Sequence, residues 1–259
     1  MITASPHKIL FDQSHPAQVD VDVTVAISCY NYQAEVVEAL VSLAAQVNIQ
    51  FDLIIVDDAS RDASALVIRR WLETNAQERS FRRVRLVQHQ PNQGLPRARN
   101  TAIALAETPF MFMLDADNLL YPRALTSLRT ALINSGCEMA YAILETFGNI
   151  PHIRGTEIWQ PERFALGNYI DAMTLIRKEA LEAVGGYRVM PITGWEDFDL
   201  WCAFIDHGFK GCYVPEILCR YREHPASMLR TITDEGNNKK ILQADVRRAH
   251  PHIEFNFPT

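Results

Sequence analysis

The stretch FMFMLDADNLLYP, residues Phe110 to Pro122, joins five consecutive apolar residues to two aspartates and a following turn. A short continuous apolar run is typical of a strand that is covered on both faces of its sheet. Asp115 and Asp117 end this run, so the sequence predicts two carboxylates at the carboxyl end of a buried strand. Because neighbouring carboxylates repel each other, we expect a positive group to lie between them.

Three strand-and-helix units precede this run. Strands are predicted at about residues 21–28, within 51–57 and at about 84–87, and a helical pattern of apolar residues follows each of them. This alternation is typical of a parallel sheet with crossover helices. In such sheets, ligands bind at the carboxyl ends of the strands. The sequence therefore predicts an α/β fold whose functional site lies at that rim.

Polar side chains follow three of the predicted strands at this rim. Tyr30 follows the first strand, Asp57 and Asp58 the second, and Asp115 and Asp117 the fourth. The ring of Tyr30 suits stacking on a base, and Asp58 suits accepting a hydrogen bond from a pyrimidine N–H. Mg²⁺ and Mn²⁺ are commonly bound by one or two carboxylates together with substrate phosphates. Taken singly, each residue also has a structural explanation: a half-buried ring, a helix cap or an aspartate turn.

Composition limits the class of protein. The chain has 259 residues, of which 48% are hydrophobic and 22% charged, as in ordinary globular proteins. Its formal net charge of −6 gives no basic footprint for nucleic acid. Five cysteines without a CxxC pair argue against a zinc ribbon or a disulfide framework. With no signal peptide or membrane span in the sequence, we expect a cytoplasmic protein, at most peripheral to the inner face of the membrane.

Six sequence blocks occur in a fixed order along the chain. They are AISCYN (26–31), IIVDDAS (54–60), NQGLPRARN (92–100), FMLDADNLLYP (112–122), GWEDFDLW (194–201) and YREHPASM (221–228). Together they resemble the family 2 glycosyltransferases with the GT-A fold. The resemblance implies a mostly parallel central sheet flanked by helices, with a smaller acceptor-side half. It also implies an inverting, metal-dependent transferase that uses a UDP- or dTDP-sugar in polysaccharide, glycolipid or glycoprotein synthesis.

The resemblance places a nucleotide-sugar site in the first half of the chain. Ser28, Tyr30 and Asp58 are expected to hold the nucleotide, with the base contacted by Tyr30 and Asp58. Asp115 is expected to contact the ribose or a water on the metal. Asp117 is expected to bind the divalent cation, Mn²⁺ or Mg²⁺, directly.

Two arginines and a histidine extend the predicted donor site. Arg97 and Arg99 lie two positions apart, about 200° around a helix, so only one should face the phosphates. The resemblance favours Arg99 and leaves Arg97 open. It also implies that His224 binds the same ion or a diphosphate oxygen, although a surface loop histidine is the alternative. Arg222 and Ser227 are expected to support that loop or contact phosphate.

The segment TGWEDFDLW carries the predicted catalytic group. Thr193 and Glu196 have the spacing of a capping box, which gives this glutamate a structural explanation. The resemblance implies that Asp197 is the general base for the acceptor hydroxyl. It also implies that Trp195 and Glu196 shape the acceptor pocket. We expect Asp199 to face solvent.

These assignments divide one GT-A domain into four segments. Residues 1–20 form a loosely docked N-terminal arm and 21–118 the nucleotide-sugar-binding half. Residues 119–230 form the acceptor-binding and catalytic half, and 231–259 a C-terminal helix and tail. The acceptor stays open between saccharide, lipid-linked and protein molecules, and nucleic acid is not expected as a partner.

Three other classes of protein share parts of the pattern. FMLDADNLL also fits the phosphatase and phosphomutase motif of the haloacid dehalogenase type, in which the first aspartate is phosphorylated. That motif normally opens its domain, whereas three strands precede it here. Sugar-nucleotide pyrophosphorylases carry a glycine-rich loop after the first strand, and SCYNYQAE has no glycine. A catalytically silent scaffold is disfavoured because Asp115, Asp117, Asp197 and His224 occur together.

Overall fold

The computed structural model describes residues 2–17, 20–149, 151–224, 229–233 and 235–257. Its strands are β1 (His7–Ser14), β2 (Val23–Cys29), β3 (Phe51–Asp57), β4 (Phe81–His89), β5 (Phe110–Asp115), β6 (Leu119–Leu120), β7 (Met139–Gly148), β8 (Ile153–Arg154), β9 (Leu175–Arg177) and β10 (Gly211–Glu223). Its α-helices are α1 (Val36–Ala44), α2 (Ser64–Asn75), α3 (Leu95–Leu105), α4 (Ala124–Ser135), α5 (Lys178–Ala183), α6 (Glu196–Asp206) and α7 (Asn238–Ala249).

One mixed sheet organises these elements. Its strand order is β1-β4-β3-β2-β5-β9-β7-β10-β6, and β8 pairs with β7. The four strands β4, β3, β2 and β5 run parallel to one another, while β1 and β9 flank them in the antiparallel direction. The predicted α/β class with a mostly parallel central sheet is therefore confirmed. Because the four parallel strands point the same way, their carboxyl ends share one rim.

Helices cover both faces of the sheet. Successive strand residues point to opposite faces, so Val25 and Ala26 belong to different hydrophobic clusters. The cluster that contains Val25 also contains Leu40 of α1 and Leu128 of α4, whereas Ala26 packs with Trp201 of α6. Every residue of β3 is buried. This burial explains why Asp52 is the one polar residue of the strand before Asp57.

Residues His7–Ser14 form a strand that the sequence analysis did not predict. β1 pairs antiparallel with β4, so the expected loosely docked arm contributes an edge strand to the sheet. Asp12 forms ion pairs with Arg83 and Arg85 of β4, at 3.0 and 3.2 Å. The strand is polar and its Ile9 is exposed, so no buried apolar pattern marked it in the sequence.

The sequence pattern near residue 215 predicts two short strands, at about residues 210–214 and 217–221, whereas the structure has one continuous strand there, β10. It runs parallel to β7 with register shifts between Val214 and Cys219, next to Pro215. Proline has no N–H to donate, and a bulge lets the strand continue past it. β10 also pairs with the short β6, which directly follows the aspartate pair. This pairing brings the end of β10 to the carboxyl rim of the central strands.

The structure also bears on the cysteines and on the question of a membrane-spanning helix. Each of the five cysteines is a free thiol, and Cys29, Cys202 and Cys219 are buried. Over the ranges that the structure describes, no helix combines the length and the apolar character needed to cross a membrane.

Candidate active site

A cavity of about 860 Å³ lies at the carboxyl ends of β2, β3 and β5. Residues from both halves of the chain line it, including α6, the segment before β9 and α7. The predicted site residues among its lining are Ser28, Tyr30, Asp58, Arg99, Asp115, Asp117, Trp195, Glu196 and Asp197. Among these predicted site residues, Ser28 and Asp197 are 169 positions apart in the sequence and line the same cavity.

The loop after β2 presents Tyr30 at the cavity wall. Asn31 adopts a left-handed conformation with φ of 62°, which turns the chain sharply at this point. Its amide N–H donates to Ser60 Oγ and its Oδ1 accepts the N–H of Arg61, so the loops after β2 and β3 hold each other. Tyr30 remains 37% exposed. An exposed ring on a fixed loop suits the predicted stacking against a base.

Asp58 has a structural role that the sequence analysis did not predict. It is buried, and its carboxylate accepts the N–H groups of Gln93 and Gly94 at 2.8 and 2.7 Å. His89 Nδ1 lies 2.6 Å from the same carboxylate. Asp58 therefore fixes the loop that leads into α3, and any contact with a base uses its remaining acceptor capacity.

Arg99 is the positive group beside the first aspartate of the pair. It is only 3% exposed, and it donates to Asp115 Oδ1 at 2.9 Å and to Glu196 Oε1 at 3.2 Å. Its guanidinium also lies over the ring of Tyr187 at 5.0 Å. Arg97 lies on the exposed side of α3, donates to a neighbouring glutamine and does not line the cavity. Arg99 thus lines the cavity and Arg97 is rotated away from it, while the contact of either arginine with phosphate stays a prediction.

Asp117 and His224 meet although 107 positions separate them. His224 Nε2 lies 3.2 Å from Asp117 Oδ2. The pairing of β10 with β6 accounts for this approach, and Arg222 strengthens it by donating to the carbonyl oxygen of Asp117. Burial raises the pKa of Asp117, the charge of Asp115 adds to the effect, and His224 opposes it. Ser227, which was predicted to support this loop, lies outside the described residues.

A sharp turn aims the Glu-Asp pair into the cavity. Gly194 and Trp195 have φ angles of 119° and 64°, and α6 begins at the next residue. The predicted capping box is absent from the described residues, since Glu196 binds Arg99 and no side chain caps the helix. Glu196 Oε2 is buried and has no hydrogen-bond partner within the described part of the chain. Burial raises the pKa of Glu196, while the charge of Arg99 opposes that rise.

Asp197 is held in one orientation. Its Oδ2 accepts a hydrogen bond from Asn168 Nδ2 at 2.8 Å, and its Oδ1 accepts the N–H of Phe198 at 2.8 Å. Burial raises the pKa of Asp197 to about 6, and the nearby charge of Asp171 contributes to this rise. A carboxylate with such a pKa accepts a proton more readily near neutral pH than an ordinary aspartate does.

Two polar residues of the cavity were missed by the sequence analysis. Asn168 orients Asp197, and Asp171 lines the cavity from the segment that leads into β9. Burial raises the pKa of Asp171 to about 6, and the charge of Asp115 adds to it. Both residues belong to an irregular stretch, where the only signal was the short polar run GN followed by YID.

Asp199 does not face solvent, so that prediction was wrong. It is 3% exposed and binds Arg188 and His250, the latter at 3.1 Å. Arg188 also donates to Asp245 of α7 at 2.6 Å. Burial would raise the pKa of Asp199, but the hydrogen bonds from His250 and Arg188 outweigh burial and lower it. The helix period alone did not reveal this network, because Arg188 precedes Asp199 by 11 residues and His250 follows it by 51.

Comparison with known proteins defines the class to which this fold and cavity belong. Residues 24–185 match the family model described as glycosyl transferase family 2, and this match covers more than half of the chain. The chain therefore belongs to glycosyl transferase family 2. EpsE of Bacillus subtilis (strain 168) is 27% identical over 240 residues, which cover 87% of this chain and 82% of that protein. The uncharacterized glycosyltransferase YibD of Escherichia coli (strain K12) is 29% identical over 240 residues, which cover 85% of this chain and 67% of that protein.

Solved structures confirm the predicted GT-A fold. S. aureus TarS 1-349 in complex with UDP-GlcNAc superposes with a TM-score of 0.72 at 14% identity. The match covers 88% of this chain and 66% of that one. The mannosyltransferase PcManGT from Pyrobaculum calidifontis, in complex with GDP-Man and Mn²⁺, superposes with a TM-score of 0.60 at 20% identity, covering 80% of this chain and 60% of that one.

Proposed function

We propose that this glycosyltransferase is inverting and metal-dependent and moves a sugar from a UDP- or dTDP-sugar to an acceptor hydroxyl. The acceptor belongs to polysaccharide, glycolipid or glycoprotein synthesis, and is a saccharide, a lipid-linked molecule or a protein. The observation that carries the proposal is the position of Arg99, which joins Asp115 of the strand rim to Glu196 of the Glu-Asp pair. This contact sets the donor side and the proposed base around one cavity.

The donor nucleotide is assigned to the wall formed by the loops after β2 and β3. Tyr30 offers an exposed ring for the base, and Ser28 and Asp58 line the same wall. Asp115 lies between this wall and Arg99, where it suits a ribose hydroxyl. Two of the similar structures, those of TarS, hold UDP-GlcNAc and UDP, which supports a uridine donor for this chain as a proposal.

The cation is assigned to Asp117 and His224, with Asp115 acting through water. Among the described residues, no group of three or more histidine, cysteine or acidic side chains forms a ready-made metal site. Two protein ligands still fit Mn²⁺ or Mg²⁺, because these ions take one or two carboxylates and complete their coordination with substrate phosphates. When bound, the cation stabilises negative charge on the departing nucleoside diphosphate. A similar structure, that of PcManGT, is a complex with GDP-Man and Mn²⁺, which supports the use of a divalent cation.

The reaction needs no covalent intermediate. Asp197 accepts the proton of the acceptor hydroxyl while that oxygen forms a bond to the anomeric carbon. The bond from this carbon to the diphosphate oxygen breaks, and its electron pair leaves with the nucleoside diphosphate. Attack opposite the leaving group inverts the anomeric configuration. Asn168 holds the Asp197 carboxylate in place by its hydrogen bond, and Trp195 and Glu196 border the acceptor side of the cavity.

The expected compartment stays part of the proposal. Five free thiols suit the reducing cytoplasm, where we place the reaction, at the inner face of the membrane if the acceptor is lipid-linked. Nucleic acid is not a proposed partner, since the net charge is −6.

The test combines a donor panel with one substitution. UDP- and dTDP-sugars are added with Mn²⁺, and thermal stabilisation and slow donor hydrolysis are measured. In Asp197→Asn, we expect turnover to fall by about 10²–10⁴-fold, because the proton acceptor is lost. Binding of the nucleoside diphosphate should persist.

Two outcomes would contradict the proposal. If Asp197→Asn lost nucleotide binding and turnover together, Asp197 would not be the base. If nucleotide bound but no donor reacted, the chain would be a catalytically silent nucleotide-binding scaffold, and if no donor bound, the proposed donor class would be wrong.

A further inference from the structure

Asp171 is a cavity carboxylate to which the proposed reaction gives no role. Its Oδ1 accepts the N–H of Met173 at 2.9 Å in a tight turn. Within the described part of the chain, Oδ2 makes no hydrogen bond, although Asp171 lines the cavity. An oxygen that the protein leaves unpaired beside a ligand cavity is available to a ligand donor.

The segment that carries Asp171 is held rigidly against α6. Trp201 Nε1 donates to the carbonyl oxygen of Ile170 at 3.0 Å. Asn168, three residues before Asp171, donates to the Asp197 carboxylate, and Thr174 Oγ1 donates to the Asp171 carbonyl oxygen at 2.9 Å. Asp171 therefore keeps a fixed position relative to the proposed base, as a residue that selects a substrate must.

The neighbours of Asp171 define which part of a substrate it can reach. Asn168, three residues before it, binds Asp197, and Asp171 lines the same cavity as Asp115 and Asp197. The effect of the charge of Asp115 on Asp171, and of Asp171 on Asp197, agrees with a position near both the proposed base and the donor rim. In a direct displacement, the transferred sugar occupies the space between the leaving diphosphate and the base. A side chain close to both ends of that path borders the sugar rather than the nucleotide.

We propose that Asp171 is a specificity-determining residue that accepts a hydrogen bond from a hydroxyl of the transferred sugar. This inference rests on the proposed function. Asp115, Asp171, Glu196 and Asp197 line this part of the cavity together with two cations, Arg99 and Arg154, whose charges both act on Asp171. Because the carboxylates outnumber these cations, the site selects a neutral hexose or N-acetylhexosamine and disfavours a uronic acid, whose carboxylate would meet Asp171.

The size of the effect follows from the loss of a buried partner. A site built to bind a hydroxyl rejects analogues that misplace it, because its own polar group is then left unpaired. Replacing the Asp171 carboxylate with a neutral side chain should lower the discrimination between epimeric donor sugars by about 10-fold or more. The nucleotide makes no contact with Asp171 in this arrangement, so its affinity should change by less than about twofold.

The experiment compares Asp171→Asn and Asp171→Ser with a matched control, Asp62→Asn. Asparagine keeps the oxygen that accepts the Met173 N–H, and serine forms the same kind of turn more weakly. Asp62 makes a similar turn with Ser64 at 2.9 Å but lies outside the cavity. UDP affinity is measured by calorimetry, and kcat/KM is measured with UDP-glucose, UDP-galactose, UDP-GlcNAc and UDP-glucuronic acid.

The expected result is a change in selectivity without a change in nucleotide binding. In both Asp171 variants, the ratio of kcat/KM between epimeric donors should fall by about 10-fold. The kcat/KM for UDP-glucuronic acid should rise relative to that for the neutral donors. Asp62→Asn should match the unaltered protein. An equal loss with every donor, unchanged selectivity, or a joint loss of UDP binding and fold in both variants would overturn the inference alone. Absence of any donor turnover by the unaltered protein would instead overturn the proposed function.

Discussion

At the scale of single residues, burial gives several carboxylates of this cavity properties that their sequence neighbours do not reveal. Asp197 combines burial, two hydrogen bonds and the nearby charge of Asp171, and its pKa rises to about 6. An ordinary aspartate has a pKa near about 3.9 and is almost fully ionised at pH 5. The proposed base is therefore poised to exchange a proton close to neutral pH.

The first prediction concerns the pH dependence of turnover. Only ionised Asp197 accepts a proton, so kcat/KM should be constant above its pKa and fall about tenfold per pH unit below about 6. The measurement is donor turnover from pH 4.5 to 8, with thermal stability recorded at each pH to exclude unfolding. A profile that stays flat down to pH 4.5 would show that Asp197 is not the titrating base.

The second prediction concerns the buried guanidinium. Replacing Arg99 with methionine leaves Asp115 and Glu196 without their cation, and breaking a buried ion pair typically costs about 3–5 kcal/mol. The loss should be smaller at pH 5.5 than at pH 7.5, because burial raises the pKa of Glu196, and without Arg99 to oppose that rise its carboxyl binds a proton at the lower pH. The free energy of unfolding in denaturant measures both effects.

Arg97→Met is the matched control for this substitution. Arg97 lies two positions away on the same helix, is exposed and donates a hydrogen bond to Gln93. A surface change of this kind should alter stability by less than about 0.5 kcal/mol. Equal destabilisation by the two variants would contradict the buried role of Arg99.

Sequence patterns located the residues of the strand rim better than those held by distant partners. Asp115, Asp117 and Tyr30 follow apolar strands, and their positions could be predicted because parallel strands end at a common edge. Asp199 and Asp171 could not be placed in this way. The burial of Asp199 depends on His250 and α7. Asp171 lies in an irregular segment that has no periodic pattern of apolar residues.

At the scale of elements, pairing decides what the sequence can reveal. Continuous apolar runs predict the central strands. β1 is half exposed, and it forms a strand because β4 offers it backbone hydrogen-bonding groups. The approach of His224 to Asp117 likewise depends on the pairing of β10 with β6. Neither pairing leaves a local signal, so only the family resemblance suggested the second one.

The third prediction concerns the anchoring of α7. His250 lies between Asp206 at 2.6 Å and Asp199 at 3.1 Å, close to the Arg188–Asp245 ion pair. Burial alone would lower the pKa of His250, but the hydrogen bonds to the two aspartates outweigh burial and raise it. The protonated histidine therefore stabilises the fold fully below its unfolded pKa of about 6.5, and this contribution is lost as pH rises through the higher folded pKa.

His250→Gln should thus be more destabilising at pH 6 than at pH 8.5. Unfolding free energies at both pH values measure the difference, and hydrogen exchange of residues 238–249 reports whether α7 opens first. His252→Gln, at an exposed position on the same segment, serves as the control. A pH-independent effect of His250→Gln would contradict the ionic role and leave only packing.

At the scale of the whole molecule, the cavity joins residues from nearly the full length of the chain. Its lining begins at Ser28 and extends to Lys239 and Gln243 of α7 and to Phe257. A ligand that binds across this space binds only the folded chain, so it stabilises the molecule as a unit. This property allows metal and nucleotide binding to be measured without an acceptor.

The fourth prediction uses that linkage. With Mn²⁺ present, UDP at about 100 times its Kd should add about 2.7 kcal/mol of stability, which raises Tm by roughly 5–10 °C for a chain of this size. EDTA should remove most of the shift, and Asp117→Asn should abolish the part that depends on metal. Mn²⁺ without UDP is the control. An undiminished UDP shift in EDTA would contradict the assigned cation site.

The two edge strands of the sheet affect whether the protein aggregates at high concentration. One edge of the sheet is β1, a largely polar strand with an exposed Lys8, and the other is β6, which is two residues long. Neither offers a long apolar template on which a second copy can polymerise edge to edge. Trimming the chain to residues 24–185, the span that matches the family model, would delete β1 and leave the backbone groups of β4 unpaired. That edge strand could then pair with another copy and aggregate. Expression of the catalytic region should therefore start well before residue 7.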